Sequence, residues 1–425
     1  MTEKKRIVIT GIGALSGIGV NVKDSWENII NSKSGIRPIT RFETAEESDS
    51  LSKVAGEIIY GEEEGQFNLD NYVDRKDQKK MDRFIHFGIT AAIQAVEDSG
   101  WKPEDEESRN RTGIMFGSGI GGLETIQNMS RTVAEKGMRR ISPFFIPASL
   151  INLISGHVSI KYRFKGPNHA TVTACATGTH AIGDAVEIIK RGDADVMLAG
   201  GAEAAICELG VGGFSAMHAL STKYNNEPEK ASRPWDRDSD GFVMGEGSAA
   251  VILEEYEHAK KRGAKIYGEV VGYGLTGDAF HMSAPDETGT GQKRVMRMAL
   301  EHAGLNPEDI DYINAHGTST PVGDPLEFGS VKDVFKNCLN TISMSSTKSA
   351  TGHLLGASGA IEAVFSVLAL RDGIMPPTLN LDNVHERCQG IDLVPHKAKE
   401  KELKYCLSNS FGFGGTNACL IFKKV

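Results

Sequence analysis

The sequence predicts an α/β fold with much parallel sheet, and three observations carry that expectation. Short β-branched runs recur along the chain, many of them closing on glycine. Amphipathic helical patterns lie between them. Two distant segments share one plan: TACATGTHAIGDAVEIIKRGD (173–193) and SSTKSATGHLLGASGAIEAVFSVLALRDG (345–373) each run from a strand through a small, polar turn into a helix that closes on Arg-Gly-Asp or Arg-Asp-Gly. The shared plan suggests two equivalent halves meeting near residue 260.

The composition supports a globular reading. Of 425 residues, 40% are hydrophobic and 24% charged, which excludes disordered and collagen-like chains. The length allows two or three domains, or one duplicated α/β unit. With 47 basic against 56 acidic residues the formal charge is −9, which argues against a surface devoted to nucleic acid.

The elements follow in chain order. Lys4-Lys5-Arg6 and the apolar run after it resemble a secretion signal, but the run is glycine-rich and has no small-x-small cleavage site, so RIVITGIG (6–13) reads as a first strand and turn. The acidic stretch 43–64 reads as a solvated excursion. In DRKDQKKMDRF, Lys76, Lys79 and Lys80 stand at i, i+3 and i+4, which places them on one face of an expected helix. A long helix is expected over FIHFGITAAIQAVEDSG (84–100) and another over VMRMALEHAGL (295–305). Strands are expected in RTGIMFGSG (111–119), DADVMLAGG (193–201), SAAVILEE (248–255), GEVVGYG (268–274), IDYINAHG (310–317), TISMSST (341–347) and ACLIF (418–422). Fully apolar strands imply burial on both faces. No stretch of 18 apolar residues occurs, so no membrane span is expected.

Four places could carry chemistry. Gly117, Gly119 and Gly122 fit G-x-G-x-x-G after a strand, but the segment that follows runs to Arg139-Arg140 and lacks the acidic partner of a dinucleotide site, so a glycine turn at a close approach is the plainer reading. Cys175 follows the short run TVTA and opens a helix. A helix N-terminus offers free N–H groups and positive potential to a thiolate or an oxyanion; a buried structural cysteine stays equally open. His316 and His353 each end a strand and begin a polar turn, where open α/β sheets collect ligands. Taken singly each could be structural; three such groups at equivalent strand ends point to one site. NSFGFGGTNA (409–418) is a glycine-rich turn around Phe413, either an ordinary hairpin or a loop that aims a main-chain N–H at a ligand. The six cysteines show no C-x-x-C and no metal spacing, so reduced thiols are expected and no metal.

With those residues read, the chain resembles the β-ketoacyl-acyl carrier protein synthases, the elongating type II enzymes most. The motifs are GSGIGGL (117–123), TACATG (173–178), DADVMLAGGAEA (193–204), GVGGF (210–214), RPWDRDSDGFVMGEG (233–247), NAHGTSTPVGD (314–324), SSTKSATGHLLGASGA (345–360) and NSFGFGGTN (409–417). The resemblance implies the thiolase fold: two duplicated βαβ halves, here 1–260 and 261–425, in a five-layered α-β-α-β-α sandwich, forming a homodimer. It implies Cys175 as nucleophile, the N–H groups of Cys175 and Phe413 as an oxyanion hole, and His316 and His353 as catalytic partners supported by Lys348 and Glu362. Thr318 and Thr320 match positions that meet a phosphopantetheine arm, Ile120 and Phe214 match the acyl pocket, and Phe413 and Asp278 match gating loops. His218 stands where relatives often carry a basic residue.

The activity so implied is decarboxylative condensation of malonyl-acyl carrier protein with an enzyme-bound acyl chain, in the cytoplasm, with no cofactor beyond the arm on the carrier. The partner is an acidic acyl carrier protein, which gives the lysine face at 76, 79 and 80 a docking role. A polyketide ketosynthase would use the same residues. A non-catalytic partner subunit of the same fold is disfavoured by the presence of Cys175.

Overall fold

The computed structural model describes residues 5–44 and 51–425. Ten strands form one sheet. In chain order they are β1 (Ile7–Ser16), β2 (Thr112–Gly117), β3 (Asn168–His169), β4 (Val196–Glu203), β5 (Gly247–Glu255), β6 (Gly268–Gly277), β7 (Tyr312–Asn314), β8 (Ser343–Ser345), β9 (Tyr405–Gly412) and β10 (Thr416–Lys423). The first five are ordered β3-β2-β4-β5-β1 and the last five β8-β7-β9-β10-β6. Numbered within each half, both orders read 3-2-4-5-1, and in both the fifth strand runs antiparallel to its two neighbours while the others pair in parallel. Two antiparallel pairs, Val8↔Glu269 and Ile9↔Gly268, join β1 to β6 and the two halves to each other.

Helices complete five layers. α1 (Arg83–Ser99) covers the outer face of the first half, while α3 (Thr290–Ala303) and α4 (Gly323–Val334) cover that of the second. Between the halves lie α2 (Thr177–Arg191) and α5 (Ser358–Asp372), packed on each other and on strands of both halves. This arrangement is the thiolase fold. α5 is buried from Ser358 to Leu370 without interruption, because a helix in a central layer has no face left for water.

The local signals act as expected at most ends. Asp82 caps α1 through the N–H of Phe84, and Gly100 closes it in the left-handed region at φ 64°. Gly192 and Gly373, the glycines of the Arg-Gly-Asp and Arg-Asp-Gly closures, end α2 and α5 at φ 95° and 67°. The duplication extends into the turns. Ala174–Ala176 and Leu355–Ala357 are matching single 3₁₀ turns, opened by Ala174 at φ 49° and Leu355 at φ 50°.

Three expectations change, and one strand was not among those expected. TVTA is not a strand: pairing ends at His169, and residues 170–173 run irregularly into the turn that holds Cys175. The lysine face is not one helix face, because the helix spans only Arg75–Gln78, Lys79 caps it, and Lys80 turns back to pair with Asp77 at 2.7 Å. The acidic stretch 43–64 is not a solvated excursion throughout: Ser52 and residues 54–58 are buried, and Glu57 accepts from the Thr40 N–H at 2.8 Å beside Arg41. Residues 45–50 of that stretch lie outside the described residues. YCLSNSFG, which lacks clean alternation, forms β9. Among the described residues no helix is long and apolar enough to cross a membrane.

The two central helices begin almost in contact. A Cβ on Gly178 would lie 2.6 Å from the Ala360 nitrogen, and one on Gly359 would lie 2.0 Å from Thr179 Oγ1 and 2.7 Å from its nitrogen. Gly359→Ala is expected to cost about 1–3 kcal/mol through overpacking. Gly329→Ala, in α4 with open space around it, is expected to gain up to about 1 kcal/mol from helix propensity. Denaturant midpoints of the two variants beside the parent check this, and equal midpoints would refute the close-packed helix start.

Candidate active site

A cavity of about 650 Å³ opens where the strand ends of both halves meet, and Cys175, His316 and His353 all line it. His316 stands just past β7 and Cys175 follows the irregular residues 170–173, but His353 does not end a strand as expected: the short helix Lys348–Thr351 lies between β8 and it. A sheet of this order leaves its crevice at the carboxyl ends of the parallel strands. Ile120, Phe214, Thr318, Thr320, Phe413 and Asp278 line the same cavity. Lys348 and Glu362 stand behind it, both fully buried and in direct contact through Nζ and Oε1. Lys76, Lys79 and Lys80 lie elsewhere on the surface, Lys79 at a separate cleft with Arg41 and Arg83.

The nucleophile candidate sits at the start of α2 with the main-chain N–H groups of Phe413 and Cys175 itself within reach of its sulfur. Burial nevertheless pushes the thiol up to about 12; Lys348 and the two N–H groups pull the other way, and Glu203 adds to the rise. The helix N-terminus therefore does not make a resting thiolate. At neutral pH the group is a thiol, and an attack on a carbonyl must shed its proton.

The imidazoles are 5.3 Å apart between ring centres at 87°. His353 is fixed by Ser358 Oγ at 2.9 Å on Nδ1, and by the edge of Phe242. His316 packs edge-on to Phe411, and its main-chain N–H donates to Glu327 at 2.8 Å. Burial, and after it Lys348, holds both rings well below the usual histidine range, so each is neutral at pH 7 and carries one N–H to donate. Glu362 is raised to about 7, since burial outweighs the pull of Lys348.

Three acidic side chains escaped the sequence reading. Glu327 accepts from His316 and Gly317, Asp324 from Trp235 and Ser319, and Glu203 from the glycine loop 119–121. All are buried and bind main-chain N–H groups. An acid closing an apolar strand, as in AGGAEA, was the available signal for Glu203. The same bonds settle the glycine motif: the loop's N–H groups are taken by Glu203, so none is left to cradle a phosphate.

The gate candidate is the β9–β10 hairpin turn. Phe413 is 38% exposed, and its ring lies 6.4 Å from that of Phe214. Gly414 and Gly415 take φ 85° and 70°, a region costly to other residues. Gly414 N–H donates to Met282 at 2.7 Å, and the Asp278 N–H to Gly415 at 2.9 Å, while the Asp278 carboxylate accepts from Asn417 at 2.6 Å. The two loops thus hold each other. Among the described residues no three His, Cys, Asp or Glu side chains converge as a metal ion would require.

This geometry can be set beside known proteins. The family described as beta-ketoacyl synthase, N-terminal domain, matches residues 4–259, and its C-terminal domain matches 267–382. The chain belongs to the β-ketoacyl synthase family. It is 55% identical to a Rhizobium meliloti protein named 3-oxoacyl-[acyl-carrier-protein] synthase 2, over 99% of both chains. It is 50% identical to the Vibrio cholerae protein of the same name over the full length of both, and 48% to the mitochondrial 3-oxoacyl-[acyl-carrier-protein] synthase of Arabidopsis thaliana over 99% of this chain and 94% of that one. Among solved structures it is similar to a beta-ketoacyl synthase from Burkholderia phymatum, at TM-score 0.89 and 34% identity over 99% of this chain and all of that one. A type II polyketide ketosynthase, solved with its acyl-carrier protein and a hexaketide, matches at TM-score 0.90 and 31% identity over both full chains.

The buried carboxyls give the family site a pH signature. Burial raises Asp324 from 3.8 to about 7. Between pH 4 and 7 the folded protein then holds a proton that the unfolded chain has lost, so this group's contribution to stability falls as pH rises through that window and is level below it. Asp324→Asn is expected to flatten the fall, whatever its own cost in stability. Urea midpoints measured from pH 4 to 7.5 check the slope, and an unchanged slope refutes the assignment.

Proposed function

We propose that this protein carries out the elongating condensation of fatty acid synthesis: an acyl chain moves from acyl carrier protein to Cys175, and malonyl-acyl carrier protein then extends it by two carbons with loss of CO₂. The observation that carries the reading is the convergence of one thiol, two main-chain N–H groups and two neutral imidazoles on one cavity. Identity of 48–55% with proteins named for this step, against 31% with the type II polyketide ketosynthase, favours fatty acid over polyketide chemistry. The division of labour runs by halves, with 1–260 carrying the nucleophile and 261–425 the histidines.

In the first step the Cys175 sulfur attacks the acyl thioester. Oxyanion charge falls on the N–H groups of Cys175 and Phe413, the carrier thiolate leaves, and the proton shed by the thiol passes to it. In the second, the bond to the malonyl carboxylate breaks and its electron pair enters an enolate. His316 and His353 each donate an N–H to that oxygen, which neutral rings can do without competing charge. The enolate carbon attacks the acyl-Cys175 carbonyl, and the Cys175 thiolate leaves and takes one proton from solvent, which replaces the proton that went to the carrier thiol in the first step. Atoms balance with no cofactor beyond the phosphopantetheine arm on the carrier. Thr318 and Thr320, with hydroxyls 3.1 Å apart, line the path of that arm. Lys348 and Glu362 support the donors from behind, Ile120 and Phe214 wall the acyl end, and Phe413 with Asp278 gates it.

The protein acts as a homodimer in the cytoplasm. Ile126, Met138, Ile146, Ile160 and Val172 are exposed on one stretch of chain that includes the short edge strand β3, a surface suited to a second copy. Six free cysteines fit a reducing compartment.

Cys175→Ser is expected to abolish acyl-enzyme formation, because a hydroxyl ionises far less readily than a thiol. Cys175→Gln, a neutral stand-in for the acylated state, should keep malonyl decarboxylation and lose condensation. His316→Ala and His353→Ala should retain acylation yet lose about 10²–10³ in CO₂ release, the scale for one donor to developing charge. Single-turnover acyl transfer read beside labelled CO₂ release decides the matter. Histidine variants that decarboxylate normally and fail only at acylation would overturn the assignment.

Carrier docking falls to Lys76 and Lys79, both exposed, with Lys80 held by Asp77 and lying 5.4 Å from the Phe144 ring centre. Lys76→Glu with Lys79→Glu should raise KM for carrier-bound substrate and flatten its salt dependence, and Lys80→Glu should do less. Unchanged salt dependence of KM in the double variant would rule the surface out.

A further inference from the structure

Glu203 closes β4 and takes no part in the proposed reaction. It is fully buried, and every partner is neutral. Oε1 accepts from Ser118 Oγ at 2.7 Å, Ile120 N at 3.2 Å and Gly121 N at 3.4 Å. Oε2 accepts from Gly119 N at 2.8 Å and Gly356 N at 3.0 Å. These five donors come from two segments far apart in sequence. One is the loop 118–121, which carries Ile120 on the cavity wall; the other is the turn Leu355–Ala357, which begins two residues past His353 and whose Leu355 lines the same wall.

The two segments meet backbone to backbone. A Cβ on Gly356 would lie 2.2 Å from the Gly119 nitrogen and 2.9 Å from Glu203 Oε2. The N–H groups of Gly119, Ile120 and Gly121 on one side and the single N–H of Gly356 on the other would be left buried and unpaired without an acceptor between them, and the carboxylate is that acceptor. Remove it and the loop has no reason to stay against the turn. Glu203 also opposes ionisation of Cys175, where Lys348 favours it.

We propose that Glu203 is the positioning residue for acyl-chain selection: by clamping the loop 118–121 to the turn after His353, it holds Ile120 at the depth that sets which chains fit. The proposal rests on the reading of this cavity as an acyl site. Glu203 meets no substrate and acts through the loop.

Glu203→Gln is close to isosteric, yet whichever way the amide lies, its NH₂ must face a main-chain N–H, since each oxygen accepts from at least one on either side. The experiment measures acylation of Cys175 by intact mass with saturated acyl carriers of graded length, in parent and variant. The expected result is a change of about tenfold or more in the ratio of long-chain to short-chain rates, the scale of one lost hydrogen bond to a charged group. Release of CO₂ from malonyl carrier, which uses no acyl wall, should stay near the parent rate. Alkylation of Cys175 by iodoacetamide should move its midpoint to lower pH as the opposing charge is removed, which a purely structural role would not produce. An unaltered chain-length ratio in folded Glu203→Gln overturns the proposal, whatever its melting temperature. If that variant does not fold, Ser118→Ala removes one donor and keeps the charge; a smaller change in the same ratio supports the proposal, and an unaltered ratio overturns it. A parent protein that takes no acyl group from any carrier overturns the function reading itself, and that result is visible before any variant is made.

Discussion

The rest of the molecule depends on the close approach of two helix starts in its central layer. Gly178 and Gly359 let α2 and α5 begin within a backbone's width of each other, and the matching turns before them, opened by Ala174 and Leu355 at positive φ, bring Cys175 and Gly356 to equivalent places. Non-glycine residues held there cost of order 1–3 kcal/mol each, and such strain persists where the surroundings leave no alternative. The equivalence also explains an asymmetry. One turn presents a thiol to the cavity, and its counterpart presents a bare main-chain N–H to Glu203.

Charge in the site is arranged so that little of it is present before reaction. Lys348 is the buried cation beside the thiol and the rings, and it contacts Glu362. Burial keeps the thiol protonated and both histidines neutral, while Glu203, Asp324 and Glu327 spend their oxygens on main-chain N–H groups. What remains aimed into the cavity is a set of donors without net charge. Such donors gain most from charge that appears only in a transition state, because they need no reorganisation to meet it.

The hairpin turn at Phe413 links this centre to the surface. Thr416 Oγ1 donates to the carbonyl of Thr173 at 3.1 Å, so the root of the hairpin is tied to the turn that carries Cys175. At its tip, Gly414 and Gly415 are held by the loop that follows β6. A ring that moves there must exchange those main-chain bonds, which couples the gate to the cavity mouth without disturbing the thiol.

Much of the fold was legible in the sequence because its signals are local. Strands such as VITGIG and AAVILEE, Asp82 as a cap, and the glycines at 100, 192 and 373 act through their nearest neighbours, and the shared strand-turn-helix plan, closed by Arg-Gly-Asp in one segment and Arg-Asp-Gly in the other, exposed the duplication that the strand orders display. Cys175, His316 and His353 could be singled out because each lies in a small, polar turn, although only His316 directly follows a strand, and the motif set placed the chain in its family. Other features could not be read this way. TVTA has β-branched residues but no strand to pair with beyond His169, and the lysine helix stops at Gln78, after which Lys79 caps it and Lys80 pairs with Asp77. The roles of Glu203, Asp324 and Glu327 arise from donors contributed by residues up to 153 positions away, and no periodicity marks such a partner. Likewise the thiol's protonation follows from burial by both halves at once. Sequence determined the elements and the chemistry-bearing residues, since those depend on short-range sterics and hydrogen bonds; only the packed structure decided their charge states and their acceptors, since those depend on what distant segments bring alongside.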